Sequence, residues 1–306
     1  MNVLIIGGSG HVSGAVVRAA LAQHHTVWTL TRGKRALPET GHALVADRHD
    51  DAAMERVVAG PALAWDLVVD CIGYDVPDLL QDIRLFRDRA RHFVFVSTDF
   101  VYDPARRRFP QPEDSEFWAC GETGSLAYGA RKRRCELALI EGDTGAMAWT
   151  MVRPCHIYGP TSELGCLPLH GRDRDLIRKL RAGEPLQLVG GGHYLQQPLL
   201  ADDLALTILS AAGNPKAAGR VFNVAGPDIV ESWQYYQMIA DRLNVGLTIK
   251  DVPVSDYLAE HPDMAPFLCH RIYDLQGLKT RDLAVPATPL TEGLRQHVEG
   301  ILARPA

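Results

Sequence analysis

Apolar and polar positions alternate between two periods along the first half of the chain. Val3 to Ile6 is a short apolar run that ends in glycine, the pattern of a parallel strand buried on both faces. Val12, Val16, Ala19, Ala20 and Gln23 then step along one side of a helix running from Val12 to Ala22. Further strands are predicted at Thr26 to Thr31, Ala43 to Ala46, Leu67 to Asp70 and His92 to Val96, with helical stretches at 50–59 and 77–89. A helix over about 126–141 precedes one more apolar run, Ala148 to Val152. Strands alternating with helices in this way predict an α/β fold built on a doubly wound parallel sheet.

The second half is less regular. Residues 155–198 are rich in glycine, proline and charge, with one helical segment near Arg174 to Ala182. A last strand–helix unit is expected, with Asp202 to Ala212 as helix and Val221 to Val224 as strand, then a helix from Glu231, a short strand at Leu247 to Ile249 and further helices. The expected division is a nucleotide-binding core of residues 1–154 plus 199–228, and a smaller C-terminal substrate lobe of 155–198 plus 229–306. At 306 residues such a core with a lobe is the natural size.

Bulk chemistry narrows the partners. A formal net charge of −5 gives no footprint for nucleic acid, and no apolar stretch approaches the ~20 residues that span a bilayer. The basic run Arg106-Arg107-Arg108 lies near prolines and reads as a solvated loop. Six scattered cysteines, without zinc-finger spacing, read as free thiols in a reducing compartment, so no metal is expected. The N-terminus reaches glycine after six residues without a charged lead, which is not the form of a signal peptide; a cytoplasmic location is the expectation.

The first strand opens directly into Gly7-Gly8-Ser9-Gly10-His11-Val12-Ser13-Gly14, and a helix follows. Glycine at 7 permits a tight turn, Gly10 lets the backbone approach a pyrophosphate, and free N–H groups at the helix start meet its charge. Ser9, His11 and Val12 join that contact, while Ser13 stands where a third glycine is usual. The end of the second strand bears on the choice of cofactor, because an acid there suits NAD and a base suits the 2′-phosphate of NADP. Here it reads Thr31-Arg32-Gly33-Lys34-Arg35, so Arg32 and Lys34 tilt the choice between NADP and NAD toward NADP. Asp47 is a candidate partner for the adenine amino group or, alternatively, a helix N-cap. Arg48 and the stretch Cys71-Ile72-Gly73 after the fourth strand complete the expected cofactor contacts.

The reactive chemistry is expected at Tyr128 and Lys132, one helical turn apart, and at Thr98 after the fifth strand. A tyrosine takes a proton from an alcohol only if its pKa falls from about 10, and a nearby ammonium favours that. The i, i+4 spacing puts both residues on one helix face, and a strand-end hydroxyl can bond the same substrate oxygen.

With these parts in order, the chain resembles the short-chain dehydrogenase/reductase superfamily in its extended branch of sugar epimerases, dehydratases and reductases. The likeness runs from the N-terminus to about residue 300 and includes Gly7 to Gly14, Ser97-Thr98-Asp99-Phe100-Val101-Tyr102, Tyr128 with Lys132, Arg153 to Pro160, and Asp202-Asp203-Leu204-Ala205. It implies a Rossmann-type core, catalytic roles for Thr98, Tyr128 and Lys132, a cofactor contact at Ser97, a bond from Lys132 to the nicotinamide ribose, and Pro154, His156 and Ile157 bordering the nicotinamide. Two departures stand out. An arginine clamp for a nucleotide diphosphate is replaced by Gln196-Gln197-Pro198-Leu199-Leu200, and the acid pair of 4,6-dehydratases is reduced to Asp99, followed by Phe100. The substrate site is therefore expected to use Thr98, Asp99, Phe100, His156, Gln196 and Gln197, with Arg271 in reserve, on a free sugar, sugar phosphate, nucleoside or other polyol.

Three functions follow: transient oxidation of a carbinol carbon with epimerisation or dehydration, NADPH-dependent reduction of a keto-sugar, and non-catalytic dinucleotide binding. The expected partner is a small molecule, without nucleic acid or membrane, and a homodimer is left open.

Overall fold

The computed structural model describes residues 1–34, 41–60, 64–166 and 171–304. Seven parallel strands form the main sheet: β1 (Asn2–Ile6), β2 (Thr26–Thr31), β3 (His42–Val45), β4 (Leu67–Asp70), β5 (His92–Val96), β6 (Ala148–Pro154) and β7 (Arg220–Val224). Their spatial order is β7-β6-β5-β4-β1-β2-β3, so the direction of winding reverses beside β1. In open α/β sheets a ligand crevice opens at such a reversal, outside the carboxyl ends of the strands.

Successive residues of β1 face opposite ways, and both faces are covered. Val3 and Ile5 pack with α1 (His11–Ala22) and α5 (Ala201–Ser210), whereas Leu4 and Ile6 pack into a second core with Met54, Leu79, Phe86 and Leu139. The latter residues lie on α2 (Asp51–Ala59), α3 (Val76–Phe86) and α4 (Gly124–Glu141). A third core joins Tyr158, Leu176, Leu188, Tyr235, Ile239, Leu294 and Val298, from elements of the second half.

Differences from the sequence reading are local. The α3 helix stops at Phe86, where its carbonyl turns to accept both Arg89 N and Ala90 N. The strand expected at 247–249 is Ile249–Val252, placed by parallel pairing with Leu186–Val189. The basic run is not a wholly solvated loop: Arg107 turns inward with 2% of its side chain exposed, while Arg106 and Arg108 stay out. All six cysteines are free thiols, and among the described residues no helix is long and apolar enough to cross a membrane.

Candidate active site

The glycine turn has the geometry its sequence demands. Gly7 sits at φ +113°, where a side chain is strained, and a Cβ there would lie 3.2 Å from Ser13 Cβ. Ser13 is buried, and its hydroxyl accepts from Gly10 N at 3.0 Å, so serine fills the usual third-glycine position without loss of packing. Two cavities open from this turn. One, of about 590 Å³, runs past Gly7 and Ser9 to Arg32, Lys34 and Asp47. The other, of about 640 Å³, runs past His11 and Val12 to Thr98, Tyr128 and Lys132. Gly10, Ser13, Ile72 and Tyr74 line both, so the two meet along the start of α1. The glycine cradle, the free N–H groups of the first helical turn and the paired cavities fit a dinucleotide.

Most expected cofactor contacts line one of these cavities, including Cys71, Ser97, Pro154, His156 and Ile157. Arg32 and Lys34 are exposed there, while Arg35 lies outside the described residues. Asp47 does not cap a helix, because its carboxylate accepts from His49 N at 3.1 Å and Asp50 caps α2 by accepting from Ala53 N at 3.0 Å.

Two contacts need correction. Arg48 borders the cavity, but its buried guanidinium is consumed by Asp70 at 3.1 Å, Asp82 at 3.1 Å and Asp78 at 3.3 Å. Gly73 does not line either cavity; its carbonyl accepts from Lys132 Nζ at 2.7 Å, and a Cβ there would lie 2.3 Å from Asp70 Oδ2. Tyr74 and Ser13 were missed as lining residues. Tyr74 directly follows the Cys71-Ile72-Gly73 stretch at the carboxyl end of β4, where the sequence offered a signal.

Tyr128 and Lys132 share a face of α4, which approaches the chain after β5 closely. Gly129 makes this possible: a Cβ there would lie 2.0 Å from Phe100 O. Burial pushes the Tyr128 phenol up to about 12, against the lowering influence of the Thr98 side chain, which lines the same cavity. The expected depression by Lys132 is not met. Its Nζ donates to Gly73 O and Val96 O at 2.7 and 2.8 Å and lies 4.0 Å from the Phe95 ring centroid, so its charge is spent on carbonyls and a ring. Burial lowers the Lys132 ammonium to about 8. One turn on, Glu136 accepts from Ser97 Oγ at 2.7 Å and pairs with Arg153 at 2.8 Å, fixing the end of β5 to the same helix.

The substrate end departs further from expectation. Asp99 is not a free acid, because its carboxylate accepts from Arg271 and from the Tyr273 hydroxyl and pairs with Arg107 at 3.6 Å. Phe100 meets Tyr128 edge-to-face with ring centroids 6.1 Å apart. His156 lines the cavity, and burial lowers it to about 3, so it stands there as a neutral imidazole. The two glutamines do not serve the cavity. Gln197 donates to Gly226 O at 2.8 Å and accepts from Tyr273 N at 2.9 Å. Gln196 is wholly buried, its amide without a partner and outside the lining. Arginines take their place: Arg271, held in reserve, and Arg172, which carried no motif. Among the described residues no cluster of ligands could hold a metal ion.

A family model for the NAD dependent epimerase/dehydratase family matches residues 78–225. The chain is 28% identical over 295 residues to 2'-dehydrokanamycin reductase from Streptomyces kanamyceticus, across 92% of this chain and 78% of that protein. It is 24% identical over 244 residues to the chloroplast stem-loop binding protein of 41 kDa b from Arabidopsis thaliana, across 75% of this chain but 60% of that protein's length. In fold it resembles the UDP-glucose 4-epimerase of Thermotoga maritima, with a TM-score of 0.77, 19% identity and 99% of each chain covered.

Proposed function

We propose that the chain, whose residues 78–225 match the model of the NAD dependent epimerase/dehydratase family, moves hydride to or from a carbinol carbon of a sugar or sugar-like substrate. The observation that carries this reading is the meeting of two cavities along the glycine turn, with Tyr128 and Thr98 lining the one that leads away from Arg32. Gly7, Ser9, Gly10 and the first N–H groups of α1 would hold the pyrophosphate of a nicotinamide dinucleotide. When bound, that group supplies the hydride acceptor or donor. Tyr128 then holds the proton at the substrate oxygen, and Thr98 donates a hydrogen bond that steadies its phenolate.

The charge of the site sets the direction of proton movement. A phenol held near 12 is protonated at neutral pH and ready to donate to a forming carbinol oxygen. A positive charge placed beside it lowers it and lets it accept instead. Dehydration is poorly served, since Asp99 is engaged by two guanidiniums and has no second acid beside it.

A second, finer reading is net reduction of a keto-sugar with NADPH. Arg32 and Lys34 beside the nucleotide cavity favour it, as does likeness to a reductase across most of the chain.

One experiment separates the readings. The purified protein is examined for retained nicotinamide absorbance, then incubated with NADH and NADPH against keto and hydroxy forms of a sugar panel. Retained cofactor with interconversion of epimers supports transient oxidation. An empty protein that consumes NADPH stoichiometrically supports reduction. Absence of any hydride exchange overturns both.

A further inference from the structure

At the substrate end, one carboxylate serves two guanidiniums. Asp99 pairs with Arg271 and with Arg107, and both arginine side chains are at most 3% exposed. Arg107 also donates to Asp99 O at 2.9 Å and to the Tyr273 hydroxyl at 2.8 Å. Among the described residues, neither arginine has another carboxylate in ion-pair contact. The cluster therefore carries one positive charge in excess, out of water.

An excess of buried carboxylate is relieved by taking up a proton. An excess of guanidinium has no such escape, because arginine does not deprotonate in proteins. The unspent donors are visible: Arg107 Nε and Arg271 Nε are both buried without a partner. Of the two, Arg271 lines the cavity, with its guanidinium carbon 4.5 Å from the Phe100 ring centroid. Phe100 in turn packs on Tyr128, so the cation stands one ring away from the reacting position. Arg172 adds a second positive charge to the same cavity, and His156 contributes none.

We propose that this end of the cavity binds an anionic oxygen group, a carboxylate or a phosphate ester, that the substrate carries close to its reacting carbon, and that Arg271 is the residue that meets it. The inference rests on the proposed reading that a sugar-like molecule occupies the cavity beside Tyr128, but not on the hydride step. In this role Arg271 takes the place expected of Gln196 and Gln197.

The test is binding of three probes to the full chain loaded with NADP or NAD: glucuronate, glucose 6-phosphate and, as neutral control, methyl glucoside. Calorimetric titration is expected to show at least one anionic sugar bound roughly tenfold or more tightly than the neutral one, the size of a charge-assisted hydrogen bond. Which anionic probe wins identifies carboxylate or phosphate as the source. Arg271→Gln is expected to abolish the preference of anionic over neutral sugar, with circular dichroism confirming the fold. Arg271→Lys, which keeps the charge but loses the fork, is expected to retain a weakened preference. No anionic preference in the wild type, including no binding of any probe, overturns the inference, as does a preference that survives in Arg271→Gln. Anion binding without hydride exchange on any substrate would leave the inference standing and overturn the proposed function. Turnover of neutral sugars without anionic preference would do the reverse.

Discussion

Two buried ion clusters flank the site, and they are built with opposite stoichiometry. Beside the nucleotide cavity, Arg48 is surrounded by Asp70, Asp78 and Asp82, one cation among three acids. Beside the substrate cavity, Asp99 is surrounded by Arg107 and Arg271, one acid between two cations. The acid-rich cluster has a way to relieve its excess: burial and the neighbouring Asp70 push Asp82 well above the ordinary carboxylate range, which favours uptake of a proton. The arginine-rich cluster has no equivalent move. The first arrangement braces the fold with its acids in surplus, whereas in the second the surplus is of cations and one of them, Arg271, lines the neighbouring cavity.

The comparison breaks most sharply on stability. Arg48→Met strips three buried carboxylates of their cation and is expected to cost about 3–5 kcal/mol. Arg107→Met removes hydrogen bonds but also relieves a surplus charge, and Arg271 still pairs with Asp99, so a cost of about 1–2 kcal/mol is expected. Urea denaturation of both variants checks this, and an equal or greater loss in Arg107→Met would reverse the argument.

Histidine can do what arginine cannot, and His92 at the start of β5 sharpens the contrast. It is buried, its Nε2 shares a hydrogen bond with Thr150 Oγ1 at 2.8 Å, and burial lowers it to about 4. A depressed pKa means that the unfolded state takes up the proton first. The stability from this neutral histidine is full above about 6.5 and falls as pH drops toward 4, by up to about 3 kcal/mol. Denaturation midpoints across that window should fall in the wild type and fall less steeply in His92→Phe; an unchanged slope would remove His92 from the account.

A smaller effect is expected at the exposed rim of the nucleotide cavity. Arg32→Asp should weaken NADP binding by about tenfold more than NAD binding, because a like-charge contact then faces the 2′-phosphate. Parallel fluorescence titrations measure it. A wild type that prefers NAD would mean that Arg32 only packs on the adenine.

This contrast also explains what the sequence could and could not reveal. The nucleotide half is assembled from local signals. Gly7 to Gly14 lie in one turn, Arg32 and Asp47 sit just past strand ends, and β2, β4 and β5 begin and end where their apolar runs do. Tyr128 and Lys132 were legible because one helix carries both. The substrate half is assembled across the chain: Arg271 reaches Asp99 from 172 residues away and Tyr273 from 174. No periodicity announces that Arg107, in a run that reads as solvated, is drawn inward by a carboxylate and a distant tyrosine. Nor does spacing reveal that Gln197 is spent on the backbone of Gly226 and Tyr273. Local pattern also says nothing of burial, which raises the Tyr128 phenol where the neighbouring lysine suggested the opposite.

On the proposed reading, the Tyr128 hydroxyl handles the proton in the cavity that leads away from Arg32. Tyr128→Phe tests it most directly, with turnover and cofactor affinity measured on the same preparation. The account predicts turnover reduced by about 10²–10⁴-fold with cofactor binding and fold largely intact, since one hydroxyl alone is removed. Near-full activity of the variant on a substrate that the wild type turns over would contradict it.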